Sequence, residues 1–211
     1  MEPKMNRCVI IGSSPEVCEG DFEELNQENV FIICADGGYD SVRRHYVNPD
    51  LLIGDFDSVL GELPAGVETI RLDAEKDDTD MMAAIRIALQ RGYRDFVLLG
   101  GLGGRIDHSF ANFCALQYLA RQGCSACLKG KDCAVYFQDI GILPLDDLGG
   151  KTVSLFPFGA PSCTVTYRGL KYPLYKHKLT SDYAMGVSNI VVDDRAEIRV
   201  HDGSALIMVM R

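Results

Sequence analysis

The sequence predicts an α/β fold: an N-terminal α/β domain with a mainly parallel sheet, followed by a C-terminal all-β, sandwich-like domain. Two observations carry this. Before about residue 130, short apolar runs alternate with segments of helical periodicity, the pattern of strands joined by crossover helices. From Cys133 onward strand-like runs succeed one another between Gly, Pro and Asp turns, with no amphipathic helix among them. A chain of 211 residues has room for two small domains, here 1–130 and 131–211, with a junction over Ser125 to Lys131.

Cys8 to Ile11 reads as a buried strand ended by Gly12, and Ser14-Pro15-Glu16 as a helix start with Ser14 as cap. Val30 to Cys34 is the second strand. It runs into Ala35-Asp36-Gly37-Gly38, where glycines permit close backbone approach and a helix from Tyr39 to Tyr46 would offer its N-terminus to an anion. Leu51 to Ile53 is a short buried strand. Gly54 then turns the chain, so that Asp55 and Asp57 project together while Phe56 points the other way as an anchor. Carboxylates this close repel unless a cation lies between them, and hard oxygen ligands at a strand end suit Mg²⁺. Asp residues also serve ordinary turns, and this stretch alone does not separate the two readings.

Val67 to Leu72 alternates as a strand does, and Asp73 to Asp77 is a charged connection. The stretch Asp78 to Gln90 is helical, with Met81, Met82, Ile85, Ala88 and Leu89 on one face. Asp77, Asp78 and Asp80 crowd around Thr79 at its start, more acid than capping requires, which suggests a second metal- or phosphate-facing cluster. Phe96 to Leu99 is the next strand. A glycine-rich turn, Gly100-Gly101-Leu102-Gly103-Gly104, joins it to a helix over Ile106 to Gln122. This turn is neither a dinucleotide fingerprint, since Ile106 stands where the third glycine belongs, nor a P-loop, but its N–H groups can cradle phosphate. Arg105, His108 and Asn112 share one helix face beside it. Six strands are expected beyond: Ala134–Gln138, Thr152–Phe156, Cys163–Tyr167, Asn189–Val192, Glu197–Val200 and Ala205–Met210.

A net charge of −9 argues against general nucleic-acid or anionic-membrane binding. No apolar run is long enough to cross a bilayer, and Met1 to Arg7 lack the apolar core of a secretory signal, so a cytoplasmic location is expected. Of eight cysteines, Cys8, Cys34 and Cys114 read as small buried hydrophobes. Cys124 and Cys127 form a lone C-x-x-C near Cys133, short of the paired spacing a zinc site needs, and read as structural.

Five motifs now stand in order: Ala35-Asp36-Gly37-Gly38, Gly54-Asp55-Phe56-Asp57-Ser58, Asp77-Asp78-Thr79-Asp80, the glycine turn with Arg105-Ile106-Asp107-His108, and Gly186-Val187-Ser188-Asn189. Together they resemble thiamine pyrophosphokinase, its bacterial form especially, over nearly the whole chain. The resemblance implies pyrophosphoryl transfer from ATP to the thiamine hydroxyl, giving thiamine diphosphate and AMP, with Mg²⁺ as cofactor. It also implies a homodimer whose active site is shared between subunits. Carried over, Asp36, Asp55, Asp57 and Asp80 are the metal and phosphate-site carboxylates. Thr79, Arg105 and Asp107 line the pyrophosphate and substrate cleft; Gly37, Gly38, Gly103, Gly104, His108 and Asn112 are candidate binding residues on the strength of their turns and helix face. Ser188 and Asn189 belong to the thiamine side, contributed by the β domain. Asp107 and Asp80 are both candidates for general base. Many bacterial members carry an acidic residue after the Ser-Asn pair, where this chain has Ile190; eukaryotic members place a Trp nearby, and this chain has none. Tyr183 is a candidate aromatic partner for the thiazolium cation. A Mg²⁺-dependent phosphohydrolase and a non-catalytic nucleotide or thiamine sensor are the rival readings; a sensor would not need four matched carboxylates.

Overall fold

The computed structural model describes residues 7–14, 17–22, 25, 29–57, 59–73 and 77–211. Pro15 and Glu16 of the expected helix start, Ser58, and residues 74–76 of the charged connection lie outside the described residues. The chain divides into two compact units. The first comprises Met1–Ala115 with Arg121–Lys131, and the second Leu116–Ala120 with Asp132–Arg211.

In the first unit six parallel strands stand in the order β6-β5-β1-β2-β3-β4: β1 (Arg7–Ile11), β2 (Val30–Ala35), β3 (Leu51–Gly54), β4 (Glu68–Arg71), β5 (Asp95–Leu99) and β6 (Ser125–Lys129). β1, β2, β3 and β5 are apolar almost throughout because helices cover both faces of a parallel sheet. On one face Val9, Ile11, Cys34, Val97 and Leu99 form a cluster with Tyr39 and Val42 of α1 (Gly38–Arg44). The alternate residues Ile10, Ile33 and Ile53 are fully buried, and α2 (Asp80–Gln90) packs against their strands. Each such side chain withdrawn from water stabilises the unit by about 1.5–3 kcal/mol. The strand order reverses direction of winding at β1, where β2 lies on one side and β5 on the other. Ligands of open parallel sheets bind outside the carboxyl ends of the strands at such a point.

The stretch Ser125 to Lys131 is therefore not a bare connector: Ser125–Lys129 is a strand of the parallel sheet. Cys114, expected to be buried, is exposed on α3 (Ile106–Arg121), a helix that also exposes Ile106 and Phe110. Cys8 and Cys34 are buried as expected, and burial pushes both thiols above their ordinary range.

The second unit pairs two antiparallel sheets. One has the order β12-β9-β14-β7, made from β7 (Cys133–Gln138), β9 (Thr152–Pro157), β12 (Asn189–Ile190) and β14 (Ala205–Met210). The other has the order β11-β10-β13-β8, from β8 (Gly141–Pro144), β10 (Ser162–Arg168), β11 (Leu174–Thr180) and β13 (Glu197–Asp202). Val153, Leu155, Ile207 and Val209 of the first sheet share one core with Cys163, Val165, Ile198 and Val200 of the second, which makes this unit a sandwich. The expected strand over Asn189–Val192 shrinks to two residues, with Val191 bridged to Leu170 instead.

Candidate active site

Three loops at the carboxyl ends of β2, β3 and β5 build the site. The N–H of Asp36 donates to the carbonyl of Ile53 (2.8 Å), which ties the end of β2 to the end of β3. Gly54 makes that approach possible: it sits at φ 154°, and a Cβ there would lie 3.0 Å from the Cα of Asp36. Asp55 and Asp57 leave the turn on either side of Phe56, whose ring packs on the α1-side core. Asp36 and Phe56 hold φ values of 48° and 61°, conformations that non-glycine residues adopt at a cost.

Carboxylate oxygens of Asp36, Asp55 and Asp57 lie within 4.8 Å of one another. Asp55 and Asp36 are half-buried and Asp57 is exposed. The Asp57 carboxyl is pushed up from its ordinary value, first by the charge of Asp55, with Asp36 and Asp80 adding to it. A divalent cation with oxygen preference fits this donor set, since it converts that repulsion into ligation. Asp80, at the first position of α2, lies outside that 4.8 Å group, and its charge reaches Asp57. Thr79 is the N-cap of α2 and accepts from the N–H of Met82 (3.2 Å).

Beside the carboxylates lies a cavity of about 350 Å³ lined by Gly12, Asp36, Asp80, the Gly100–Arg105 turn, His108 and Asn112, among others. Of the other acids around Thr79, Asp78 is paired with Arg86 and Asp77 is exposed, and neither lines this cavity. The Gly100 turn is pressed against β1: Gly12 donates to Leu99 (2.8 Å) and Ser14 to Gly100 (3.0 Å), and a Cβ on Gly100, at φ 60°, would lie 2.3 Å from the Gly12 carbonyl. Ser14 also donates its hydroxyl to the carbonyl of Leu102. Asn112 is buried and donates to the carbonyl of Gly101 (2.8 Å), so it fixes the turn. Gly37 is the N-cap of α1, and the pocket reaches Ala35 and Asp36 but not Gly37 or Gly38.

Arg105 holds Asp107 in a two-pronged ion pair, at 3.2 and 2.6 Å, with both side chains exposed. The Arg105 hydrogen bonds bring the Asp107 carboxyl from an ordinary 3.8 down to about 2. The folded value lies below the unfolded one, so the pair's small contribution to stability is present above the ordinary carboxylate range and fades as pH falls towards 2. Arg105→Ala is expected to return the Asp107 titration to the ordinary carboxylate range, read by NMR of the side-chain carboxyl carbon. A titration that stays near 2 in the variant would show that another group holds it down.

Ser188 and Asn189 lie in the second unit. Ser188 is exposed at φ 60°, and its N–H donates to the Ser154 hydroxyl (3.0 Å). Asn189 is buried, and its amide is engaged at both atoms: Oδ1 accepts from the N–H of Tyr172 (3.0 Å) and of Ile190 (2.9 Å), and Nδ2 donates to the carbonyl of Tyr172 (2.8 Å). The residue presented outward by these bonds is Tyr172, which is 58% exposed and whose ring already carries the Lys171 ammonium at 5.5 Å. Tyr183 is also exposed. The sequence marks Tyr172 only as an aromatic residue within Gly169-Leu170-Lys171-Tyr172-Pro173.

Residues 12–128 match the family described as Thiamin pyrophosphokinase, catalytic domain, and residues 140–205 the Thiamin pyrophosphokinase, vitamin B1 binding domain. The chain belongs to the thiamine pyrophosphokinase family. It is accordingly an enzyme of the transferase class. Thiamine pyrophosphokinase of Bacillus subtilis (strain 168) is 25% identical over 206 residues, covering 95% of this chain and 96% of that one. Thiamine pyrophosphokinase 3 of Oryza sativa subsp. japonica is 26% identical, covering 83% and 76%. The crystal structure of the Bacillus subtilis thiamine pyrophosphokinase has the same fold, with a TM-score of 0.86 over 97% of this chain and 98% of that one at 23% identity. The Candida albicans thiamin pyrophosphokinase has a TM-score of 0.79, covering 98% and 90% at 16% identity. The carboxylate triplet and the glycine-lined cavity fall in the catalytic match; Tyr172, Ser188 and Asn189 fall in the vitamin B1 binding match.

Proposed function

We propose that this enzyme transfers a pyrophosphoryl group from ATP to the hydroxyl of thiamine, releasing AMP. The observation that supports this most is the Asp36, Asp55, Asp57 triplet set beside a glycine-lined cavity on a family-matched catalytic domain. In the reaction the thiamine hydroxyl oxygen bonds to the β-phosphorus, the bond from that phosphorus to the α,β-bridging oxygen breaks, and AMP leaves with the bridging oxygen. Positioning and charge neutralisation carry most of such a step. Mg²⁺ held by Asp36, Asp55 and Asp57, with Asp80 close by, would offset phosphate charge.

N–H groups of the Gly100–Gly104 turn receive phosphate oxygens, and Asn112 keeps that turn in place. The hydroxyl proton passes to a carboxylate. Arg105 holds Asp107 in an ion pair and Asp107 does not line the cavity, whereas Asp80 does, so of the two candidates we take Asp80 as the base. On the thiamine side, Asn189 acts by fixing Tyr172, whose exposed ring offers a face to the thiazolium cation. We assign the protein a homodimeric state in the cytoplasm, each active site joining the catalytic domain of one subunit to the vitamin B1 binding domain of its partner.

The deciding assay incubates the protein with ATP, Mg²⁺ and thiamine and looks for thiamine diphosphate and AMP by mass. Thiamine-dependent AMP is the expected result. Inorganic phosphate released without thiamine would instead indicate a phosphohydrolase, and no turnover with binding alone a sensor. Within this reading Arg105 serves phosphate through its planar fork, so Arg105→Lys is expected to lose catalytic efficiency for ATP nearly as fully as Arg105→Ala. A Lys variant with wild-type efficiency would reduce Arg105 to a point charge.

A further inference from the structure

Arg71 is the last residue of β4 and stands in register with Gly54, directly beside the turn that carries Asp55 and Asp57. Its exposed guanidinium lies over the ring of Phe56, 5.5 Å from the centroid. Among the described residues it makes no ion pair, although Phe56 stands between two of the carboxylates in sequence. Among the described residues Arg86 is paired with Asp78, while Arg105, paired with Asp107, lines the cavity on the Gly100 side. A triphosphate brought to Asp36, Asp55, Asp57 and Asp80 meets a strongly negative site, and one divalent cation cannot balance it alone.

We propose that Arg71 is a phosphate-binding arm for the terminal end of the transferred pyrophosphoryl group, shelved on Phe56 until a polyphosphate arrives. This rests on the pyrophosphoryl-transfer reading and names a residue that grips the group from the β3–β4 side, opposite the Gly100 turn. The group that moves is present in ATP and in thiamine diphosphate and absent from AMP and thiamine. Arg71 should therefore distinguish the first two ligands from the last two.

The test is calorimetric binding, with Mg²⁺, of four ligands: an ATP analogue with a methylene between its α- and β-phosphorus atoms, thiamine diphosphate, AMP and thiamine. Arg71→Ala is expected to weaken the ATP analogue and thiamine diphosphate on the order of 10- to 100-fold, the loss of a charge-assisted contact, and to leave AMP and thiamine within about twofold. Phe56→Leu, which removes the shelf and keeps both carboxylates, should reproduce part of the same selective loss. Unchanged binding of all four ligands would overturn the proposal. So would equal weakening of AMP, which would mean a distorted loop, or a wild-type protein that does not bind the ATP analogue at all. None of these measurements needs turnover. Failure of the wild type to make AMP and thiamine diphosphate would count against the transfer reading alone.

Discussion

Asp55→Asn is expected to abolish turnover, by roughly a hundredfold or more, while the protein stays folded. The same outcome is expected for Asp57→Asn. The reason lies in how the turn is made. Gly54, at φ 154°, lets the chain press against Asp36, and Phe56, at φ 61°, throws Asp55 and Asp57 out together. An amide in place of either carboxylate keeps that backbone and removes one hard, anionic ligand. Stability should respond in the opposite sense to activity. The Asp57 carboxyl has a raised proton affinity when folded, so its contribution is favourable in acid and is lost as pH rises through the folded value. Without metal, the variants should therefore match wild type at low pH and equal or exceed it at neutral pH, read as thermal midpoints at the two pH values. Added Mg²⁺ should raise the wild-type midpoint and have little effect on Asp55→Asn, because only the wild type gains binding free energy in the native state. Near-normal turnover by Asp55→Asn at saturating Mg²⁺ would sink the metal assignment.

Much of this site is legible before any coordinates. A parallel strand that is buried on both faces announces itself as a continuous apolar run, and the residues just beyond its end are by position a carboxyl-end loop. That places Asp36, Asp55 and the Gly100 turn at one edge of the sheet. Other features are hidden for physical reasons. β6 holds Cys127 and Leu128 between a polar start and Lys129, too short a run to stand out from a connector. β11 is an edge strand, and Tyr175, Lys176, His177 and Lys178 are all exposed, so it lacks the alternation that marks a half-buried strand. Lysines on an edge hinder pairing with another chain, which is the service that erases the sequence signal.

The acid run around Thr79 shows a different limit. Composition counts three acids at one helix start, but Asp78 turns to Arg86, further along α2, and leaves Asp80 alone of the three on the cavity wall. Tyr172 shows the same limit at longer range. Its tie to Asn189 runs from a side-chain amide to backbone atoms across 17 residues, and no pattern of residue types encodes such a bond.

Mixed dimers give the second large effect. Asn189→Ala removes the amide that holds Tyr172 by both its N–H and its carbonyl, so thiamine use should be lost although the carboxylate triplet is untouched. Three hydrogen bonds of a buried side chain are at stake, so a cooperative thermal transition is first required of this variant. Tyr172→Ala, which removes an exposed ring and leaves the amide in place, is the substitute if that transition is lost. Asp55→Asn carries the complementary defect, in the catalytic domain. Each protein alone is expected to be inactive. Unfolded together and refolded as an equal mixture, half of the dimers pair one variant with the other. If each site takes its catalytic domain from one subunit and its vitamin B1 binding domain from the partner, every mixed dimer has one site with both defects and one with neither. Activity should then return to about a quarter of wild type under random pairing. If each site is completed within a single chain, every site keeps one defect and nothing returns. Absence of recovery, with mixed dimers demonstrated by mass, would refute the shared site while leaving the carboxylate chemistry intact.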